Sequence, residues 1–305
     1  MDTLEPQPRR LPDVAHETDR DFYAPLEWVG MSDIEVPVIL EAEDGAYRQA
    51  ARADAHVSLD KSPSRGIHMS RLYLLVQQGL ARRALGAELL RDLVREFLKS
   101  HESLSRSARL RVRFDWPLER PALKSANKAW RTYPARLDFE SVNGEEKFFL
   151  ETTVTYSSTC PASAALSRQL IQENFRARYA GRADELSFED LHQWLGTTDG
   201  VVATPHAQRS LARVRVRLAP ESPFRLRDLI DRVEDALQTA VQGAVKREDE
   251  QEFALRNGQN LMFCEDAARR VKKALDAEPA ILGYEASFNH VESLHPHSAI
   301  SFIRR

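Results

Sequence analysis

Nine residues, ARLRVRFDW (108–116), alternate apolar and charged side chains almost without a break. Leu110, Val112, Phe114 and Trp116 fall on one side of an extended chain, while Arg111, Arg113 and Asp115 fall on the other, because successive strand residues point to opposite faces. That is the pattern of a half-buried antiparallel strand. It returns in RSLARVRVRL (209–218), where Val214, Val216 and Leu218 share a face. The stretches VGMSDIEVPVILEA and YRQAARADAHVSL predict two more strands, separated by the turn EDGA. ARLDFESVNGEEKFFLETTVTYSS predicts a hairpin turning at Asn143-Gly144, the strongest short-range hairpin signal.

Helical spacing interrupts these strands. Leu72, Leu75 and Leu80, then Leu85, Leu89, Leu93 and Phe97, predict one helix or two. The first half therefore reads β-β-α-α-β-β. In the second half, helices are predicted over ASAALSRQLIQENFRARYA and over SFEDLHQWLGT, the latter opened by Ser187. Further stripes are Leu226, Ile230, Val233, Leu237 and Val241, and Phe263, Ala267, Val271 and Ala274. The end, GYEASFNHVESLHPHSAISFIRR, reads as a strand or hairpin.

A chain of 305 residues lies near the size at which a single core divides. The two halves share a vocabulary of antiparallel strands and paired helices, so the fold class is α+β with two modules joined near residues 155–160. The expected division is a flexible arm over 1–27, a first module over 28–157 and a second over 158–305. A net charge of −3 supplies no basic field for nucleic acid. The polar start, MDTLEPQPRRLPDVAHETDRD, has no apolar core of a secretory signal, and no window is apolar enough to span a membrane. With two cysteines and no export signal, a cytoplasmic protein without a Cys160–Cys264 disulfide is expected.

Groups able to bind metal or move protons cluster in the second half: Cys160, His206 in ATPHAQRS, Glu248, Asp249 and Glu250 in KREDEQEF, Glu265 in FCEDAARR, and His290, Glu292, His295 and His297 in NHVESLHPHS. None matches a local zinc template, so a site must be assembled from distant segments. Cys160 lies in TYSSTCPASAALS, where a strand passes into a helix; a buried small hydrophobe, a nucleophile and a metal ligand all remain open there. Cys264 reads as a buried hydrophobe, and KREDE as a solvated charged turn. In an unbroken strand Glu292 would face away from His295, so a shared site requires a bend, for which Pro296 is suited. In SRGIHMSR, Arg65, His68 and Arg71 bring positive charge to a helix start that Ser70 could cap, an arrangement suited to phosphate.

Taken in order, GIHMSR, TYSSTCPAS, PHAQRS, KREDE, FCEDAARR and NHVESLHPHSA resemble the motifs of GTP cyclohydrolase type IB, from residue 66 to 299. The resemblance implies a tunnelling fold with two tandem modules and a homotetramer with active sites at subunit interfaces. It implies hydrolysis of GTP to 7,8-dihydroneopterin triphosphate and formate, with a divalent ion (Zn, Mn or Fe) as cofactor. It assigns Cys160, His206 and Glu250 to the metal, and Glu265 to the guanine base. His68 and Arg71 are placed at the substrate, and Cys160, Glu292 and His295 in catalysis. Many relatives read Cys-Pro-Cys, whereas this chain has Ala162 in the third place, leaving Ser163 for hydrogen bonding but not as a soft ligand. The span 168–200 between Cys160 and His206 is expected to be a surface insertion. Two alternatives stay open: a non-catalytic metal-binding homologue, and a tunnelling-fold nitrile reductase using NADPH with Cys160 as nucleophile.

Overall fold

The computed structural model describes residues 24–42, 45–60 and 65–305. The elements run β1 (Leu26–Ala42), β2 (Gly45–Leu59), α1 (Met69–Leu80), α2 (Ala87–Ser100), β3 (Ser107–Pro121), β4 (Lys128–Val142) and β5 (Glu145–Thr159). There follow α3 (Pro161–Tyr179), a 3-10 turn (Ala183–Glu185), α4 (Phe188–Leu195), β6 (Ala207–Leu218), α5 (Leu226–Leu237), α6 (Arg247–Gln259), α7 (Cys264–Asp276), β7 (Ile281–His290) and β8 (Ala299–Arg304). The eight strands form a sheet in chain order, and the fold is α+β as expected. The first half carries one strand more than β-β-α-α-β-β, because both arms of the Asn143-Gly144 hairpin are strands beyond β3. Most of the expected arm lies outside the described residues, but β1 starts at Leu26, inside its predicted end.

Backbone contacts divide the chain into two units, one up to residue 115 with 136–149, the other 116–135 with 150–305. The division runs through β3, β4 and β5, not between residues 157 and 158. Each of these strands has 15 residues, about 50 Å when extended, long enough to contribute to both units. In the first unit the apolar face of β2 and β3 (Ala53, Ala55, Val57, Leu110, Val112) is fully buried, as are Leu72 and Val76 of α1 and Leu90 and Phe97 of α2. Each large side chain so buried contributes about 1.5–3 kcal/mol. The arginines of ARLRVRFDW lie on the opposite face, where Arg113 bridges Asp33 and Asp54 at 2.9 and 2.8 Å. Gly30 is required where β1 meets β2, since a Cβ there would stand 2.0 Å from the carbonyl oxygen of Ala55.

The second unit has the same logic. Strand β6 alternates strictly, with Ala212, Val214, Val216 and Leu218 inward. The amphipathic helix α5 buries Leu229, Ile230, Val233 and Leu237, while α7 buries Ala267, Val271 and Leu275. The predicted α5 stripe runs too far. The helix ends at Leu237 because Gln238 takes φ 66° in the left-handed region, and Val241 then bonds through its N–H to the Thr155 carbonyl at 3.2 Å. Helix α7 likewise begins one residue later than its predicted stripe: Phe263 is the exposed N-cap, and Cys264 is the buried position. No helix among the described residues is long and apolar enough to cross a membrane.

Candidate active site

Three strand ends meet in the second unit. Strand β5 ends at Thr159, β6 begins at Ala207 and β7 ends at His290. The β6–β7 register pairs Ser210 with His290, so the segment after β7 runs beside the start of β6. Cys160 follows β5 directly and caps α3, its sulfur accepting the Ser163 N–H at 3.5 Å. Its own N–H donates to the His206 carbonyl at 3.2 Å, and the His206 N–H donates to Ser163 Oγ at 3.1 Å. The helical span between them, α3 to α4, thus leaves and returns at neighbouring residues. Both cysteines are free.

Around His206 a polar chain runs inward. Its Nδ1 lies 2.9 Å from Gln208 Oε1 and 3.7 Å from Glu292 Oε2. The Gln208 amide donates to Ser158 Oγ at 2.8 Å, and Ser158 Oγ lies 2.8 Å from Ser210 Oγ. Gln208, Ser158 and Ser210 are buried. The sequence reading misses them. The available signal was two polar residues, Gln208 and Ser210, in phase with the apolar face of β6.

The bend that Glu292 and His295 require is present: residues 291–298 lie outside both strands. Glu292 reaches His206, whereas His295 is exposed and stacks on His297 with ring centres 5.0 Å apart. Glu265 opens α7, exposed, and accepts from the Cys264 thiol at 3.3 Å. Burial and this carboxylate raise the Cys264 pKa, so Cys264 is a structural thiol, in keeping with its sequence reading as a buried hydrophobe. His290 is buried and lies 2.9 Å from the Tyr156 hydroxyl through Nε2.

Burial lowers the His290 pKa from 6.5 to about 4, against the opposing pull of Glu265 and Asp266. The unfolded chain therefore takes up this proton first, so the stability from a neutral His290 is complete above pH 6.5 and is lost as pH falls toward 4. Going from about pH 7.5 to about pH 5 is expected to cost about 2 kcal/mol through this group. Urea unfolding of the wild type and His290→Gln should show a shallower acid slope in the variant; equal slopes would contradict the assignment.

The remaining predicted residues lie elsewhere. Glu250 is exposed in the first turn of α6, so KREDE opens a helix and is not a turn. Asn257 of the same helix accepts from Ser157 Oγ at 2.6 Å, next to the end of β5. Glu250 is seven residues back along α6, about 10 Å along the axis. His68 and Arg71 belong to the first unit. His68 itself occupies the N-cap of α1, displacing the expected Ser70, with no side-chain cap bond, and the Arg71 guanidinium donates to the Ser100 carbonyl at 2.7 Å. A cavity of about 770 Å³ in the second unit, bordered by Arg120, Arg131, Glu234 and Asn260, includes none of the predicted residues.

As donors, a thiolate, an imidazole and carboxylates suit a divalent ion. Cys160 and His206 are neighbours, with Glu292 beside the imidazole. Among the described residues no three His, Cys, Asp or Glu side chains are grouped as a metal site. The donor types fit, and the chain brings two of the three assigned ligands to adjacent positions.

A mixed α+β chain with eight sheet strands in chain order and helices packed on them has the tunnelling fold of uricases. A highly active mutant of Bacillus sp. TB-90 urate oxidase matches with a TM-score of 0.53 at 10% identity, over 91% of this chain and 99% of that one. Uricase from Arthrobacter globiformis matches with 0.51 at 9% identity, over 92% of each chain. These likenesses show the fold alone.

The family is shown by sequence: the chain belongs to the type I GTP cyclohydrolase folE2 family, whose sequence model matches residues 11–301. It is 60% identical to the GTP cyclohydrolase FolE2 of Bdellovibrio bacteriovorus over 295 residues, 97% of this chain and 96% of that protein. It is 44% identical to the protein of the same name from Hydrogenovibrio crunogenus, over 97% of this chain and 94% of that one.

Proposed function

We propose that this protein hydrolyses GTP, releasing C8 as formate and forming 7,8-dihydroneopterin triphosphate, in the cytoplasm. The observation that carries the reading is the meeting of Cys160, His206 and Glu292 at three strand ends, in a member of this family. Cys160 and His206 would hold a divalent ion. Glu250, two helical turns from the β5 end in its own chain, is the third ligand that the resemblance assigns; an interface in a homotetramer is where a second copy would bring it in. Bound there, the ion supplies Lewis acidity that lowers the pKa of water.

The chain's own groups supply the rest. Glu265, exposed at the start of α7, can accept paired donors from the guanine N1–H and 2-amino group. Glu292 and His295 are of the types that move protons near neutral pH, as ring opening and ring closure both require. His68 and Arg71, at the start of α1, suit the phosphates. Family membership favours neither the nitrile reductase nor the non-catalytic homologue.

The test is chelator-stripped protein with GTP, with and without Mn²⁺, Zn²⁺ or Fe²⁺, followed for formate and for pterin fluorescence after oxidation. Formate and pterin together, only with metal, are expected. Formate alone would place the defect after ring opening, in the steps that lead to ring closure. Neither product with any of the metals would refute the reading.

A further inference from the structure

We infer that Gln208 is a positioning residue that fixes the His206 imidazole in the Nδ1–H form and leaves the Nε2 lone pair free for a metal. This rests on the proposed role of His206 as a metal ligand.

Nδ1 of His206 faces two oxygens, Gln208 Oε1 at 2.9 Å and Glu292 Oε2 at 3.7 Å. An ionised carboxylate only accepts, and so does an amide oxygen, so the proton belongs on Nδ1. The neutral ring then carries its lone pair on Nε2, and that nitrogen can bind a cation. Gln208 could present its NH2 instead, which would reverse the tautomer. An NH2 on the His206 side would leave Nδ1 without a proton beside the Glu292 carboxylate, which opposes that orientation. With the oxygen on the His206 side, the Gln208 amide nitrogen donates to Ser158 Oγ at 2.8 Å, and Ser158 Oγ lies 2.8 Å from Ser210 Oγ.

The β6 strand explains why these groups can hold an orientation. Gln208 and Ser210 lie two residues apart on its inward face, and Ser158 is on neighbouring β5. All three are buried, with Ser158 and Ser210 fully so, so water does not compete for the bonds. Partners of this kind, one bond behind a ligand, set ring orientation and basicity.

The first measurement is on metal-free protein: a two-bond ¹H–¹⁵N correlation spectrum of the histidine rings, with His206 assigned through His206→Asn. The Nδ1–H pattern is expected, and the Nε2–H pattern would overturn the inference. The second is the Zn²⁺ dissociation constant by competition with a chromophoric chelator. Gln208→Leu should weaken binding about 10- to 100-fold. Gln208→Glu keeps an acceptor at Nδ1 and should restore most of the affinity. Should Gln208→Leu fail to fold, Ser158→Ala, which loosens the anchor only, should weaken Zn²⁺ binding by a smaller factor. Gln208→Leu with wild-type affinity, or Gln208→Glu as weak as Gln208→Leu, would reduce Gln208 to a structural role. None of these readouts involves GTP, so a protein with the expected tautomer and affinities but no formate release would retain this inference and lose the hydrolase reading.

Discussion

Cys160→Ser is expected to leave the protein folded and to reduce formate release from GTP by about a thousandfold or more. Serine is the variant that separates the two roles of this residue. Cys160 caps α3 through its sulfur, which accepts the Ser163 N–H at 3.5 Å, and a serine oxygen performs that task at least as well. The backbone link from the Cys160 N–H to the His206 carbonyl is indifferent to the side chain. What serine cannot supply is a thiolate, the form that binds a metal. No second thiol stands ready: position 162 is alanine, and burial and Glu265 hold Cys264 protonated. Ser163, the residue left for hydrogen bonding, is committed to the His206 backbone. Cys160→Ala would also remove the cap, at about 1 kcal/mol, and so mix the two effects. The measurements are the thermal midpoint and the formate assay with added metal. A fully active Cys160→Ser protein would sink the ligand assignment.

Much of this site was legible in the sequence, and for identifiable reasons. Cys160 sits where strand periodicity stops and helical periodicity starts, so its place at a helix mouth follows from local pattern. Pro296 and the opposed phases of Glu292 and His295 call for a bend after His290, which the segment 291–298 supplies. What pattern could not supply was partners. Nothing in the spacing of Ser158, His206, Gln208 and Glu292 brings them together; that depends on the order of β5, β6 and β7 and on the register pairing Ser210 with His290.

Fold legibility failed where apolar periodicity was absent or misleading. The segment REDEQEFALRNGQ forms α6 with Asp249 as its only fully buried side chain, so no apolar stripe announces a helix. Strand β4 carries Pro134 within it, a residue that normally argues against a strand interior; there its carbonyl accepts from Thr152 Oγ1 at 3.1 Å. The α5 stripe continues in sequence to Val241, but Gln238 turns left-handed without the glycine that usually marks such a stop.

Asp249 carries the second large effect, and it separates two adjacent acidic residues. Its side chain is fully buried. One oxygen accepts the backbone N–H groups of Lys124 and Ser125 at 2.7 and 2.9 Å, and the other accepts the Ser125 hydroxyl and the Lys246 N–H at 2.6 and 2.8 Å. The loop between β3 and β4 is thereby tied to the first turn of α6. The Ser125 hydroxyl, followed by the backbone donors, holds the carboxyl well below its ordinary 3.8. Its contribution is therefore complete above pH 3.8 and disappears as pH falls through the lower folded value. Asp249→Asn keeps the volume but turns one acceptor oxygen into an NH2 facing two donors. A fall of the thermal midpoint by about 5 °C at neutral pH is expected, together with loss of that part of the acid dependence. Glu250→Gln, one residue along on the exposed side of the same turn, should leave the midpoint unchanged and weaken metal binding. If Glu250→Gln instead loses stability and keeps its metal affinity, the ligand role assigned to KREDE is refuted and the motif serves only to anchor α6.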